Sequence, residues 1–189
     1  EFAVAGNTAS SQIDGMIGIS GNSIAHACMS FVSQNYGAKN VKRIKKVIFL
    51  SIFVVLAIQS FLGMVAFLFA KPLCSIFAQT EEALEFAAVR LRLMCCSFGL
   101  CGCMEVVSYA LRAVGKSITS MLISLFFVCV FRVIWIKTFY LLNPTFLMIF
   151  ISYPVSWLLC LIVDIIVIAR VMTKLRASFE RDKNLKVVE

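Results

Sequence analysis

Residues 47–70 run for 24 positions without a charge, long enough as a helix to cross a hydrocarbon core of about 30 Å. Comparable apolar runs recur at 91–111, 118–142 and 146–169, each holding only one or two charged residues. Polar punctuation separates them. Lys71-Pro72 closes one run, and 73–78 reads as a short interfacial piece. Thr80-Glu81-Glu82 supplies an N-cap and an acidic first turn for the next helix. Residues 112–117 form a short basic turn, and Asn143-Pro144-Thr145 a tight one. Pro154 interrupts the last run, where it predicts a kink.

Segment 7–34 is less apolar but strongly patterned. Gly15, Gly18 and Gly21 recur every third residue, and Asn7, Ser11, Asp14, Gly18, Asn22, His26 and Ser30 recur at three or four. At helical period these positions form one small, polar stripe, which is costly against lipid and suits another helix or a water-filled cavity. The pattern therefore predicts an all-α, polytopic membrane helical bundle. About five transmembrane helices are expected, over 7–34, 47–70, 82–111, 118–142 and 146–169. A basic tail at 170–189 is expected to continue as a helix that frays.

Composition agrees: 61% of the 189 residues are hydrophobic, mean hydropathy is +0.94 and 17 residues are Phe, against about 45–50% apolar for a soluble domain. The net charge of +8 does not point to nucleic acid, because most Lys and Arg sit at segment ends, where anionic headgroups lie. Residues 34–46 carry five positive charges and no negative one. If that loop is cytoplasmic, thirteen of the eighteen Lys and Arg fall on its side, so the expected topology is a multi-pass plasma-membrane protein with a cytoplasmic C-terminus. The chain starts without Met and in helical character, and it is expected to be a piece of a longer protein. The eight Cys show no C-x-x-C spacing and read as small apolar side chains, not metal ligands. No nucleophile–base pair, phosphate loop or cofactor motif is present, so no enzyme is expected.

Ala27–Asn40, with Val32, Gln34, Asn35, Gly37, Ala38 and Asn40, resembles the A-x-x-x-x-V-x-Q-N-x-G-A-x-N signature of multidrug and toxic compound extrusion (MATE) transporters. Ala110-Leu111-Arg112-Ala113-Val114-Gly115-Lys116-Ser117 resembles that family's A-L-R-G-x-G-x-S turn, with Ala113 in place of a Gly. Arg132 resembles the Arg of the fifth helix of a lobe. The resemblance implies helices eight to twelve of a two-lobe transporter, the second lobe without its first helix, whose partner is the missing N-terminal lobe. It implies antiport of small organic cations against H⁺ or Na⁺. The alternatives are a lipid-linked oligosaccharide flippase of a related superfamily and a non-transporting membrane assembly partner.

Within that frame the intramembrane polar residues are the candidates. Glu105 shares a helix face with Cys101, Gly102, Ser108, Tyr109 and Arg112. A carboxylate there is costly unless paired, hydrated or protonated, which makes Glu105 the candidate for ion coupling. Asp14 lies at a depth comparable with Arg90, Arg92 and Arg132, and a pairing with one of them would form a clamp or gate. Tyr109, Tyr153 and Trp157 are candidates to line a site for aromatic cations. His26 and Asp164 read as packing residues.

Overall fold

The computed structural model describes residues 2–78, 80–140 and 146–188, and among these no strand occurs. The helices are α1 (Phe2–Gly37), α2 (Val41–Leu68), α3 (Ala70–Ser75), α4 (Glu81–Cys95), α5 (Phe98–Ala113), α6 (Ser117–Ser124), α7 (Phe131–Trp135) and α8 (Phe146–Val188). α6 and α7 belong to one rod, joined through a π-helical turn at Leu125–Val130 and extended by a second at Ile136–Tyr140. The turn expected at 143–145 lies outside the described residues.

Among the described residues three helices are long and apolar enough to cross a membrane: Val41–Leu68, Ser117–Thr138 and Met148–Arg181. The α4–α5 pair makes a fourth if counted as one bent span. The expectation of five included α1. Its 36 residues reach about 54 Å at 1.5 Å per residue, but the polar stripe keeps it out of the apolar class. Along that stripe Asn7, Ser11, Gly15, Asn22, His26 and Ser30 are exposed.

The Gln34–Asn40 signature is legible as hydrogen bonding. Lys39 N–H donates to the Tyr36 carbonyl and Asn40 N–H to that of Asn35, both at 3.0 Å, which is the Schellman ending of a helix. Its left-handed residue is Lys39, with φ 54, and not Gly37. Asn40 then caps α2, its Oδ1 accepting from Arg43 N–H at 3.1 Å. This is why α2 starts at Val41, six residues before the expected boundary. The turn after α5 repeats the device with Gly115 at φ 79, Gly115 N–H donating to Arg112 and Lys116 N–H to Leu111.

Two further boundaries differ from expectation. Lys71-Pro72 does not terminate α2 but sits in the first turn of α3, where a missing N–H is harmless. Segment 82–111 is two helices bent by 53° at Cys96-Ser97. A Cβ built on Gly63 of α2 would lie 2.9 Å from the Cys95 carbonyl, so α2 accepts that carbonyl only because position 63 lacks a side chain. A broken backbone in a membrane is tolerated when protein covers it in this way.

α5 is the hub, packing on α1, α2, α6 and α8. Two apolar clusters fill the interior. One holds Ala25, Val32, Ile44, Leu111, Val114 and Met172, at the end of the bundle where Lys39–Lys46, Arg112–Lys116 and the stretch of α8 around Leu175 and Phe179 converge. The other holds Ile13, Ile17, Ala66, Cys74, Leu91 and Phe98. Gln59 lies between them along α2, Glu105 sits between Cys103 and Val106 of the first along α5, and Asp14 and Arg90 sit among the residues of the second along α1 and α4. α8 continues unbroken to Val188, where fraying was expected. On the outside, Phe49, Phe53 and Phe61 of α2 are about two-thirds exposed or more (73%, 65% and 66%), a surface suited to lipid.

Candidate functional site

A cavity of about 200 Å³ is lined by Asp14 and Gly18 of α1, Gln59 of α2, Arg90 and Met94 of α4, Phe98, Cys101 and Glu105 of α5, and Tyr153 and Trp157 of α8. Helices α1, α2, α4, α5 and α8 thus each contribute a side chain.

Arg90 reaches the site because Thr80 caps α4, accepting from Ala83 N–H at 3.4 Å, with Glu81 and Glu82 in the first turn. Its Nη1 donates to Asp14 Oδ2 at 2.8 Å and to the Ser10 hydroxyl. Its guanidinium carbon lies 5.4 Å from the centre of the Phe150 ring. Asp14 therefore pairs with Arg90. Arg92 is two residues on, on the other side of α4; it is exposed and lies over the Phe67 ring at 5.8 Å. Arg132 belongs to a different arrangement. Its Nε donates to Ser156 Oγ at 2.9 Å, and its guanidinium carbon sits 4.0 Å from the Tyr153 ring and 5.7 Å from that of Trp157. Tyr153 and Trp157 meet edge to face, 6.0 Å apart. Arg132 thus backs the aromatic wall of the cavity.

Gln59 was not among the candidates read from the sequence. It is 2% exposed and wedged between two glycines: a Cβ on Gly21 or on Gly102 would collide with its side-chain amide. The same added Cβ on Gly21 would lie 3.4 Å from Glu105 Oε2, which places Gln59 and Glu105 side by side. Several buried atoms at this site have no hydrogen-bond partner: Glu105 Oε2, Gln59 Oε1 and Asp14 Oδ1 among acceptors, and Arg90 Nε among donors. Unmade bonds on buried polar groups are expensive. Three acceptors so placed supply an environment for a proton or a small hard cation, for which oxygen donors are the matched ligands.

Tyr109 stands apart. It is on the Glu105 face but one turn further along, and its hydroxyl donates to Asn22 Oδ1 at 3.1 Å and lies 3.4 Å from His26 Nε2. Arg112 stacks over the same ring at 4.7 Å. The group faces the exposed side of α1, outside the cavity. Ser108 turns the other way. Its hydroxyl donates to Asp164 Oδ2 at 2.5 Å, and its carbonyl accepts from Ser120 Oγ at 3.1 Å. Ser108 therefore links α5 to the fully buried Asp164 of α8 and to Ser120 of α6. The eight cysteines are free thiols, and no cluster of metal-ligating side chains occurs among the described residues.

The model of the MatE family matches residues 1–136. That stretch includes Asp14, Gln59, Arg90, Glu105 and Arg132 and ends before Tyr153 and Trp157. An FAD transporter of Shewanella oneidensis (strain MR-1) is 28% identical over 123 residues. The aligned stretch covers 65% of this chain and 27% of that protein.

Proposed function

Because the chain belongs to the MatE family of membrane transporters, we propose that it forms part of a secondary active exporter of organic cations, driven by antiport of H⁺ or Na⁺ with Glu105 as the coupling carboxylate. The observation that carries this reading is the row of unpartnered acceptors Glu105 Oε2, Gln59 Oε1 and Asp14 Oδ1 beside a cavity inside the bundle. An entering ion relieves their unmade bonds, and a departing one restores them, so the polar belt has two states of different charge. An intramembrane carboxylate of this kind is an ion-pathway candidate by its cost alone. Asp14 differs from Glu105 in being held by Arg90, so the pair fixes α1 against α4 while Glu105 stays available. The exposed polar stripe of α1 supports the second half of the mechanism. It suits a face that meets another lobe or water as the lobes rock between inward-open and outward-open states.

A second substrate reading has its own observation. Arg132 Nη2 is buried without a partner while its guanidinium is stacked on Tyr153. A planar aromatic anion would stack on that wall and pair with the arginine, and the similar Shewanella oneidensis protein is an FAD transporter. One assay separates the readings. With the full-length protein in liposomes, an imposed pH or Na⁺ gradient should drive accumulation of ethidium, a planar cation. Accumulation of flavin nucleotides and not ethidium would favour the second reading. Gradient-independent movement of both would overturn coupled transport altogether.

The same reading puts the basic end in the cytoplasm. Lys39–Lys46, Arg112–Lys116 and the stretch of α8 around Leu175 and Phe179 converge there through the apolar cluster around Val41, Val114 and Met172, and cytoplasmic loops retain Lys and Arg. A reporter that is active only in the cytoplasm, fused after Glu189, should be active. Activity of a periplasm-only reporter at that position would reverse the topology.

A further inference from the structure

At the basic end, the turn between α1 and α2 faces residues 176–180 of α8 across a groove of about 470 Å³. Lys39, Lys42 and Lys45 form one wall; Arg176, Phe179 and Glu180 form the other. Among the described side chains, Lys42, Lys45 and Arg176 bring positive charge to the groove, and Glu180 is already held by Arg176 Nε at 2.9 Å. The left-handed turn at Lys39 (φ 54) brings its ammonium to 5.7 Å from the centre of the Phe179 ring, and Tyr36 lies 6.0 Å from the same ring. The groove is therefore walled by charge and floored by aromatic surface.

Its position relative to the apolar exterior decides what it fits. Lys42, Lys45, Phe49 and Phe53 follow one another at three- and four-residue steps, so they form one stripe along α2. Phe49 and Phe53 are 73% and 65% exposed. A charged groove thus opens directly onto a lipid-facing strip. The far end of the bundle is unlike it, with exposed Glu81, Glu82 and Glu85.

We propose that this groove is a binding site for an anionic phospholipid, with the headgroup phosphate among Lys42, Lys45 and Arg176 and an acyl chain lying on Phe49 and Phe53. Basic pockets between membrane helices select anionic headgroups by charge, at a gain of about a factor of five for each Lys or Arg at the surface.

The test is native mass spectrometry of the full-length protein in detergent, with phosphatidylglycerol and phosphatidylcholine as probes. Wild type should retain phosphatidylglycerol in preference to phosphatidylcholine. Lys42→Gln/Lys45→Gln/Arg176→Gln should lose roughly a hundredfold in phosphatidylglycerol affinity with its thermal transition unchanged, since all three side chains are exposed. Lys71→Gln/Lys137→Gln, which removes the same type of charge outside the groove, should bind as wild type. Equal retention of the two lipids, an unaffected triple variant, or an equal loss in the control pair would each overturn the proposal. Glycerol phosphate binding as tightly as the lipid would overturn its lipid half and mark the groove as a site for soluble phosphates.

Discussion

Arg90→Met is expected to lower the unfolding free energy of the full-length protein by about 3–5 kcal/mol, because it leaves the Asp14 carboxylate without its cation in a mostly buried position. The ion pair spans α1 and α4 at 2.8 Å, with side-chain exposures of 7% for Arg90 and 21% for Asp14. Arg90 also donates to the nearly inaccessible Ser10 hydroxyl and stacks on Phe150, so one substitution releases three contacts. Asp14→Leu alone should also destabilise, since it strands the guanidinium. The double variant should recover much of the loss, because two apolar side chains avoid the desolvation cost that neither half of a broken pair can escape. The check is a double-mutant cycle on thermal unfolding in detergent. Additive losses would mean that the contact contributes nothing specific to holding α1 against α4.

Much of this arrangement can be read in the residues. The Gln34–Asn40 segment announces a helix end followed at once by a cap, and the Schellman bonds and Asn40 cap are its physical content. Asp14 can be placed at the depth of the arginines by counting rise per residue. Which arginine it meets depends on helix face: Arg92 sits about 200° around α4 from Arg90, and only one of the two points at α1. The α4–α5 bend left no comparable trace. No proline marks it, and the room for it is in α2, where Gly63 admits the Cys95 carbonyl. A contact between distant segments carries no local signal.

Gln59 shows the same limit from the other side. It is the one carboxamide in the uncharged run 47–70, which was the available hint. Its role depends on Gly21 and Gly102 arriving from two other helices to make room for it. Tyr109 failed as a cavity residue for a different reason. Sharing the Glu105 face settles direction but not height, and one turn of about 5.4 Å moves it to Asn22 and His26. Position along the chain sets Asp164 near the inner edge, but its complete burial against Ser108 comes from the packing of α5 on α8.

The central claim is that Glu105 carries the coupling charge, and Glu105→Gln tests it with the least disturbance. The amide keeps the shape of the side chain and much of its hydrogen bonding, and burying it costs less than burying a carboxylate. Folded yield and thermal stability should therefore equal or exceed wild type. Titration is lost, and with it the change of charge that ties ion entry to substrate release. The decisive measurement is gradient-driven substrate uptake into liposomes, normalised to folded protein, for wild type and Glu105→Gln side by side. Uptake by the variant should fall to the rate of protein-free liposomes while equilibrium substrate binding persists with less pH dependence. Wild-type uptake by the variant would contradict the account and leave Glu105 as a residue that packs α5 against α1 and α2.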